Sequence, residues 1–354
     1  MKGLVLSGGK GSRLRPFTYT GAKQLVPIAN KPVLYYALEQ LVKAGIDEIG
    51  IVVGDTAAEV EAAVGDGSRF DARVSYIHQP APLGIAHAIV VAREFLGDDR
   101  FVMMLGDNFF REGIQAIVDQ FAASPANCEV VLCKVANPQE VGVAVIECGQ
   151  LVRIVEKPKQ FISDLAVIGI YLFDHHVHEA VAAIRPSVRG ELEITDTIQY
   201  LIDAGYNVQP ALLEGSWVDT GRTGDILAAN RSILEIQQRR IDGSVDKESQ
   251  LIGMVVVEEG AQVVGSTIEG PAIIGLRTVV ENAYVGPFTS IHHDCVVRNS
   301  EIAGSVVLEN TLIEAVPQRI EGSLIGRRVK LQGITRRPHT YQLILGDFSE
   351  ARLP

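Results

Sequence analysis

Gly3-Leu-Val-Leu6-Ser-Gly8-Gly9-Lys-Gly11-Ser12-Arg13-Leu-Arg15-Pro16, followed by Gly21-Ala-Lys23-Gln24-Leu25, is a strand that runs into glycines and cations. The apolar run from Gly3 to Leu6 has the length and composition of a buried β-strand. It empties into a loop of three glycines, whose backbone amides can approach an anion without interference from a Cβ. Arg13 and Lys23 add fixed positive charge, and Arg15 is a candidate for more. A strand, a bare amide loop and strong cations together predict a polyphosphate site. Spacing excludes two common phosphate loops. A dinucleotide fingerprint needs glycine where Leu14 stands, and Pro16 prevents a clean helix start. A P-loop needs glycine at Leu4 and serine or threonine at Gly11. The glycines alone fit an ordinary βα turn; the cations at this spacing favour phosphate.

Outward from this loop, residues 1–110 alternate. Strands are expected at 3–7, 48–53, 74–78 and 101–105, with helices at about 32–44, 57–64 and 84–96. Phe101-Val-Met-Met-Leu105 is hydrophobic at every position, as strands covered on both faces are. The pattern predicts an α/β domain with a doubly wound, mostly parallel sheet, whose ligands bind beyond the carboxyl ends of the strands. The Gly8–Gly11 loop and Asp107 both lie at such ends. Residues 128–173 read as further strands, and 179–185, 196–204 and about 223–240 as helices. The polar stretch from Asp242 to Ser249 reads as a connector, giving domains of 1–240 and 241–354. Beyond it Ile273, Val279, Val285, Ile291 and Val297 recur at intervals of six; Val257, Val263, Ile302 and Leu308 extend the series. An aliphatic residue heading each hexad marks a hexapeptide β-helix of roughly four to five turns, running to a tail from Arg336.

The chain has 354 residues, too many for one ordinary core, and is 47% hydrophobic and 21% charged. No apolar stretch approaches a membrane span and no signal-peptide pattern precedes the first strand. Cys128, Cys133, Cys148 and Cys295 form no Cys-x-x-Cys pair and read as reduced core residues of a cytoplasmic protein. A net charge of −11 argues against nucleic acid or an acidic membrane surface as partner, and requires local cations wherever a nucleoside triphosphate binds.

The loop resembles the signature of sugar-1-phosphate nucleotidylyltransferases, and Lys23-Gln24-Leu25 is the form seen in glucose-1-phosphate thymidylyltransferases. The match recurs in order at Gln79-Pro80, Gly84, Leu105-Gly-Asp107-Asn108, Val155-Glu156-Lys157-Pro158, Arg189-Gly-Glu-Leu-Glu-Ile-Thr-Asp196 and Trp217-Val-Asp219-Thr-Gly221. It covers about residues 1–240, and the remainder resembles the extra domain of the family's long form, a left-handed β-helix. The resemblance implies transfer of a thymidylyl group from dTTP to α-D-glucose 1-phosphate, with release of pyrophosphate and formation of dTDP-glucose for deoxysugar biosynthesis. It further implies Mg²⁺ on Asp107 and Asp219, and catalytic roles for Arg13, Lys23 and Lys157. The nucleotide would contact Leu6, Gly8, Gly9, Gly11, Ser12, Arg13, Gln24, Gln79 and Gly84. The sugar phosphate would contact Gly142, Glu156, Lys157 and Val167. One departure is Val141, where the family usually has an aromatic residue against the sugar. A homo-oligomer is the expected assembly.

Several side chains also have bland readings. Each aspartate alone fits a turn or helix cap, and a single lysine a solvated surface. His175, His176 and His178 lack a fourth metal ligand nearby. His292 and His293 fall where related folds carry acetyltransferase histidines, so a bifunctional enzyme is the alternative; a non-catalytic regulatory subunit is another. Arg327, Arg328, Lys330, Arg336 and Arg337 read as a solvated rim. Because the loop cations and metal carboxylates all precede Thr220, the coil is expected to serve assembly and to be dispensable for chemistry.

Overall fold

The computed structural model describes residues 1–9, 11–19, 21–213, 215, 217–334 and 341–353; Arg336 and Arg337 lie outside these. The chain forms two compact units. The first comprises Met1–Lys10, Gly21–Leu25 and Val33–Trp217; the second comprises Gly11–Thr20, Val26–Pro32 and Val218–Pro354.

A nine-stranded sheet carries the first unit. Its strands are β1 Lys2–Ser7, β2 Glu48–Val53, β3 Arg73–His78, β4 Phe101–Leu105, β5 Cys128–Lys134, β6 Gly142–Glu147, β7 Gln150–Glu156, β8 Leu165–Phe173 and β9 Val208–Leu212. β4, β1, β2 and β3 are adjacent in that order and parallel. β8 joins antiparallel on the far side of β4 and connects to β5 and β6. Alternate residues of the parallel strands feed two cores. Val5, Ile51, Val102 and Met104 pack with Leu34, Leu38 and Leu41 of helix Val33–Lys43 on one face. Leu4, Val52, Phe101 and Met103 pack with Ala88 and Ile89 on the other. Helices on both faces explain why β4 and the middle of β1 and β2 are continuously apolar, whereas β3 at the edge is more polar. The long helix expected at 84–96 is two, Ile85–Val91 and Arg93–Leu96, separated at Ala92.

Glu129 on β5 is fully buried and neither carboxyl oxygen has a hydrogen-bond partner among the described residues. Burial raises its pKa to about 7, against the opposing pull of the Arg100 guanidinium. The folded value exceeds the unfolded one, so the native state loses stability as pH rises through about 7. Glu129→Gln is expected to raise the melting temperature at pH 8, with the gain vanishing near pH 5. A pH-independent shift on thermal denaturation would refute this account.

In the second unit, helix Thr223–Leu234 and the hairpin Pro27–Ile28/Lys31–Pro32 accompany a coil of short strands. Sheets of six, six and five parallel strands give five complete triangular coils and a sixth with two sides, consistent with a left-handed β-helix. The first begins at Arg240, which shortens the helix expected to reach residue 240. The stretch from Asp242 to Ser249 is therefore part of the coil: Ser244–Val245 pairs with Gln262–Val263. Its polarity reflects turn capping, since the Asp246 carboxylate accepts from Ser249 N (2.9 Å), Ser249 Oγ (2.5 Å) and Gly265 N (3.0 Å).

Val257, Ile274 and Ile291 stack, as do Val263, Val280 and Val297, so these central coils advance by 17 residues, one short of three hexads. The lost residue shifts the inward register. Val280 is buried inside where Val279 was expected, and Val279 is partly exposed. Ile273 is buried but stacks with Ser290 on the outer side, facing helix Thr223–Leu234, while Val285, Ile291, Val297 and Ile302 point inward. Buried Asn230 of that helix joins three segments. Its Oδ1 accepts from Ala29 N (2.9 Å) and Ser290 Oγ (2.6 Å), and its Nδ2 donates to Phe288 O (3.0 Å). Asn30 Nδ2 donates to Ile291 O at 2.8 Å.

Cys128 and Cys295 are buried, whereas Cys148 is exposed in the β6–β7 turn, so it is not a core residue. No helix among the described residues is long and apolar enough to cross a membrane.

Candidate active site

In the first unit, the glycines after β1 lie among the residues assigned to the nucleotide. Leu6 is the penultimate residue of β1, its carbonyl accepting Gly106 N at 2.9 Å. A methyl group placed on Gly8 would be 3.2 Å from Gln79 Oε1. One on Gly9 would be 3.2 Å from Lys23 Cε and 3.7 Å from Gln24 Nε2. Gln24 is 1% exposed, and its Oε1 has no hydrogen-bond partner among the described residues. A buried amide oxygen left unpaired is costly, so this atom is suited to a ligand donor. Gln79 Nε2 donates to Gly84 O (3.2 Å) and faces His87 Nδ1 at 3.0 Å. Gly84 cannot be replaced without strain: its φ is +105°, and a Cβ would fall 2.4 Å from Leu192 O.

Asp107, just past β4, is 6% exposed and forms an ion pair with Lys23. Neighbouring Asn108 donates to its Oδ1 at 3.4 Å and accepts from Trp217 Nε1 at 2.5 Å. The two sequence motifs Leu105–Asn108 and Lys23–Gln24 are thus brought together.

The residues assigned to the sugar also meet. Gly142 and Glu156 are paired across β6 and β7, and a Gly142 Cβ would lie 3.1 Å from Glu156 Oε2 and 3.8 Å from Val167 Cβ. Val167 opens the irregularity in the β8–β5 pairing. Lys157 Nζ is 3.8 Å from Glu156. Val141 packs on the first core. Residues beyond those selected from sequence complete this cluster. Arg189 Nη2 is 3.1 Å from Glu156 Oε1, and Thr195 Oγ1 is 3.4 Å from Oε2. Arg189 is held by Glu193 at 2.8 Å, which also accepts from Ser187 Oγ at 2.6 Å. The signal was the Arg189–Asp196 motif, whose members the sequence left without roles.

In the second unit, Gly11 (φ +60°) leads into the short turn Ser12–Leu14, which buries Leu14 and leaves Ser12 and Arg13 exposed. A methyl group on Gly221 would be 3.2 Å from both Asp219 carboxylate oxygens and 3.4 Å from Arg13 Nη2. Arg13 and Asp219 therefore face one small space. Arg15 instead stacks over Tyr19 (4.9 Å) and Phe348 (5.9 Å), which leaves its planar faces on aromatic rings.

The histidines take structural partners. Asp174, His175 and His176 lie close enough together to hold an ion, but His176 Nδ1 sits 3.0 Å from Asp174, and His178 Nε2 3.1 Å from Gly97 O. His292 is kept neutral by burial and by His293, its pKa lowered to about 4. His293 pairs with Asp294 at 2.7 Å.

The nucleotidyl transferase family model matches residues 2–236. Glucose-1-phosphate thymidylyltransferase of Streptomyces griseus is 53% identical over 100% of this chain and 99% of its own length. That of Streptomyces antibioticus is 49% identical over the same shares. A crystal structure of a Bacillus anthracis protein described as a glucose-1-phosphate thymidylyltransferase, in complex with sucrose, aligns with TM-score 0.62 and 37% identity. It covers 65% of this chain and 94% of that one. With a matching family model and full-length relatives at this identity, the chain belongs to the nucleotidyl transferase family, in its glucose-1-phosphate thymidylyltransferase branch.

Proposed function

We propose that the protein transfers the thymidylyl group of dTTP to α-D-glucose 1-phosphate, with Mg²⁺, and that it works as a cytoplasmic homo-oligomer with a catalytic part at 1–240 and a coil at 241–354. The observation that carries this reading is the convergence of Gly8, Gly9, Lys23, Gln24, Gln79 and Asp107 at the ends of β1 and β4. A phosphate oxygen of the sugar attacks the α-phosphorus of dTTP, the bond to the β-phosphate oxygen breaks, and pyrophosphate leaves. The nucleophile is already ionised at neutral pH, so no general base is required. The task is alignment of two polyanions and suppression of their repulsion.

Each group has a defined part. Loop amides from Gly8 to Ser12, with Arg13, take the leaving phosphates, the forked guanidinium matching phosphate oxygens. Lys23 exchanges its Asp107 partner for phosphate. Gln24 and Gln79, with the Gly84 backbone, read the pyrimidine edge, the Gln79 amide through its oxygen. Lys157 and Arg189 hold the sugar phosphate, and Glu156 accepts sugar hydroxyls. Asp107 and Asp219 present the hard carboxylate oxygens that Mg²⁺ takes, and the ion when bound supplies charge stabilisation to the phosphates.

Pyrophosphate release from dTTP is expected when glucose 1-phosphate and Mg²⁺ are supplied, and is expected to disappear with EDTA. Full activity in EDTA, or a clear preference for ATP or GTP across the four common triphosphates, would overturn the assignment.

A further inference from the structure

His87 lies in the first turn of helix Ile85–Val91, and neither the sequence motifs nor the reaction assigns it a part. Its Nδ1 is 3.0 Å from Gln79 Nε2, and that same nitrogen donates to Gly84 O at 3.2 Å. An amide nitrogen only donates, so His87 must accept through Nδ1 and carry its proton on Nε2. Burial lowers the pKa of His87, which keeps the imidazole neutral and able to accept. Both Nε2 hydrogens of Gln79 are thereby committed to protein acceptors. The remaining polar atom, Oε1, is turned toward Gly8, 3.2 Å from where a Cβ would stand.

An amide free to rotate offers either a donor or an acceptor to a ligand; a locked one offers a single sign. Thymine and uracil carry a proton at N3, whereas cytosine carries a lone pair there. We propose that His87 is a positioning residue that holds the Gln79 amide with its carbonyl oxygen toward the base, so that the site selects pyrimidines protonated at N3 and rejects cytosine. This rests on the reading of Gln79 as a base contact. With His87 unable to accept, the amide can turn over and donate to cytosine N3, and rejection is lost. A site built to hydrogen-bond one partner discriminates strongly because the wrong partner leaves buried groups unpaired.

The test compares kcat/KM for dTTP and dCTP in the full chain and in His87→Leu, His87→Gln and Gln79→Leu. The ratio of two substrates on one preparation does not depend on the fraction of folded enzyme. In His87→Leu the KM for dTTP is expected to rise about tenfold and the dTTP-over-dCTP preference to fall about tenfold, the scale of one hydrogen bond. KM for glucose 1-phosphate and kcat should stay within about twofold. His87→Gln, whose side-chain oxygen can accept, should restore the preference. A His87→Leu enzyme with the full preference, or a His87→Gln enzyme no better than His87→Leu, would overturn the proposal. Gln79→Leu separates the two levels. If it loses the preference while His87→Leu keeps it, only the role of His87 fails. If Gln79→Leu itself keeps the preference, the base contact fails and the proposal with it.

Discussion

Asp107→Asn and Asp219→Asn are each expected to lower turnover about a thousandfold or more while leaving the chain folded. Stabilisation of transferring phosphates by a bound cation is worth several kcal/mol, and about 1.4 kcal/mol corresponds to each tenfold in rate. Asparagine matches aspartate in shape but supplies one neutral oxygen in place of a charged carboxylate. At Asp107 the change has a second consequence, because the carboxylate is 6% exposed and is the counter-ion of Lys23. The Asp107 variant should therefore also melt lower. Circular dichroism and pyrophosphate release, measured across a range of Mg²⁺ concentrations, separate the effects. Near-normal turnover of either variant at ordinary Mg²⁺ would return that aspartate to a turn or cap role.

Truncation after Gln238 is expected to cost at least about a hundredfold in turnover, the size of loss that a misplacement near 1 Å produces. The sequence alone leads to the opposite expectation, since every proposed cation and metal carboxylate precedes Thr220. The structure changes this because Gly11–Thr20 and Val26–Pro32 belong to the same compact unit as the coil. Phe17 packs on Gly326, Arg15 stacks with Phe348, and Asn30 donates to Ile291 O. Removing the coil strips these supports from the segment that carries Arg13. It also leaves Asn230 without Ser290 and Phe288. Asn230→Leu in the full chain applies the same lesion locally. It orphans Ala29 N–H and Phe288 C=O, and should cost about 2–6 kcal/mol of stability, at about 1–3 kcal/mol for each buried group left unpaired. A folded truncation that turns over within a few-fold of the full chain would show that Arg13 is positioned without the coil.

Much of the parallel sheet was legible from local pattern. Continuous apolar runs such as Phe101–Leu105 can be satisfied only between two layers of helices, and the observed strand bounds there match those expected. The coil was legible as a repeat, but its register was not. A period of six places Ile273 and Val279 inside, while the 17-residue coil turns Ile274 and Val280 inward. One residue omitted from each of these central coils is invisible in a short window because aliphatic residues occupy both phases. The connector at Asp242–Ser249 was misread for a related reason: polar turn-capping residues look the same in a linker and in the first turn of a coil.

What the sequence determined by itself is what depends on neighbours along the chain: strands, the glycine loop, the hexad repeat and the residue types suited to phosphate. Tertiary structure decided which of those residues share a site. Lys23 meets Asp107 from 84 positions away, and Arg13 and Asp219, on segments far apart in sequence, face the same space beside Gly221. It decided that Arg15 stacks on rings and that Arg189, Glu193 and Thr195 surround Glu156. It also decided that His87 meets Gln79 across the turn leading into its helix. The physical reason is that hydrogen bonds and charge pairs act over a few ångströms of space. Local propensity fixes the elements, and only their packing fixes which side chains come within that range.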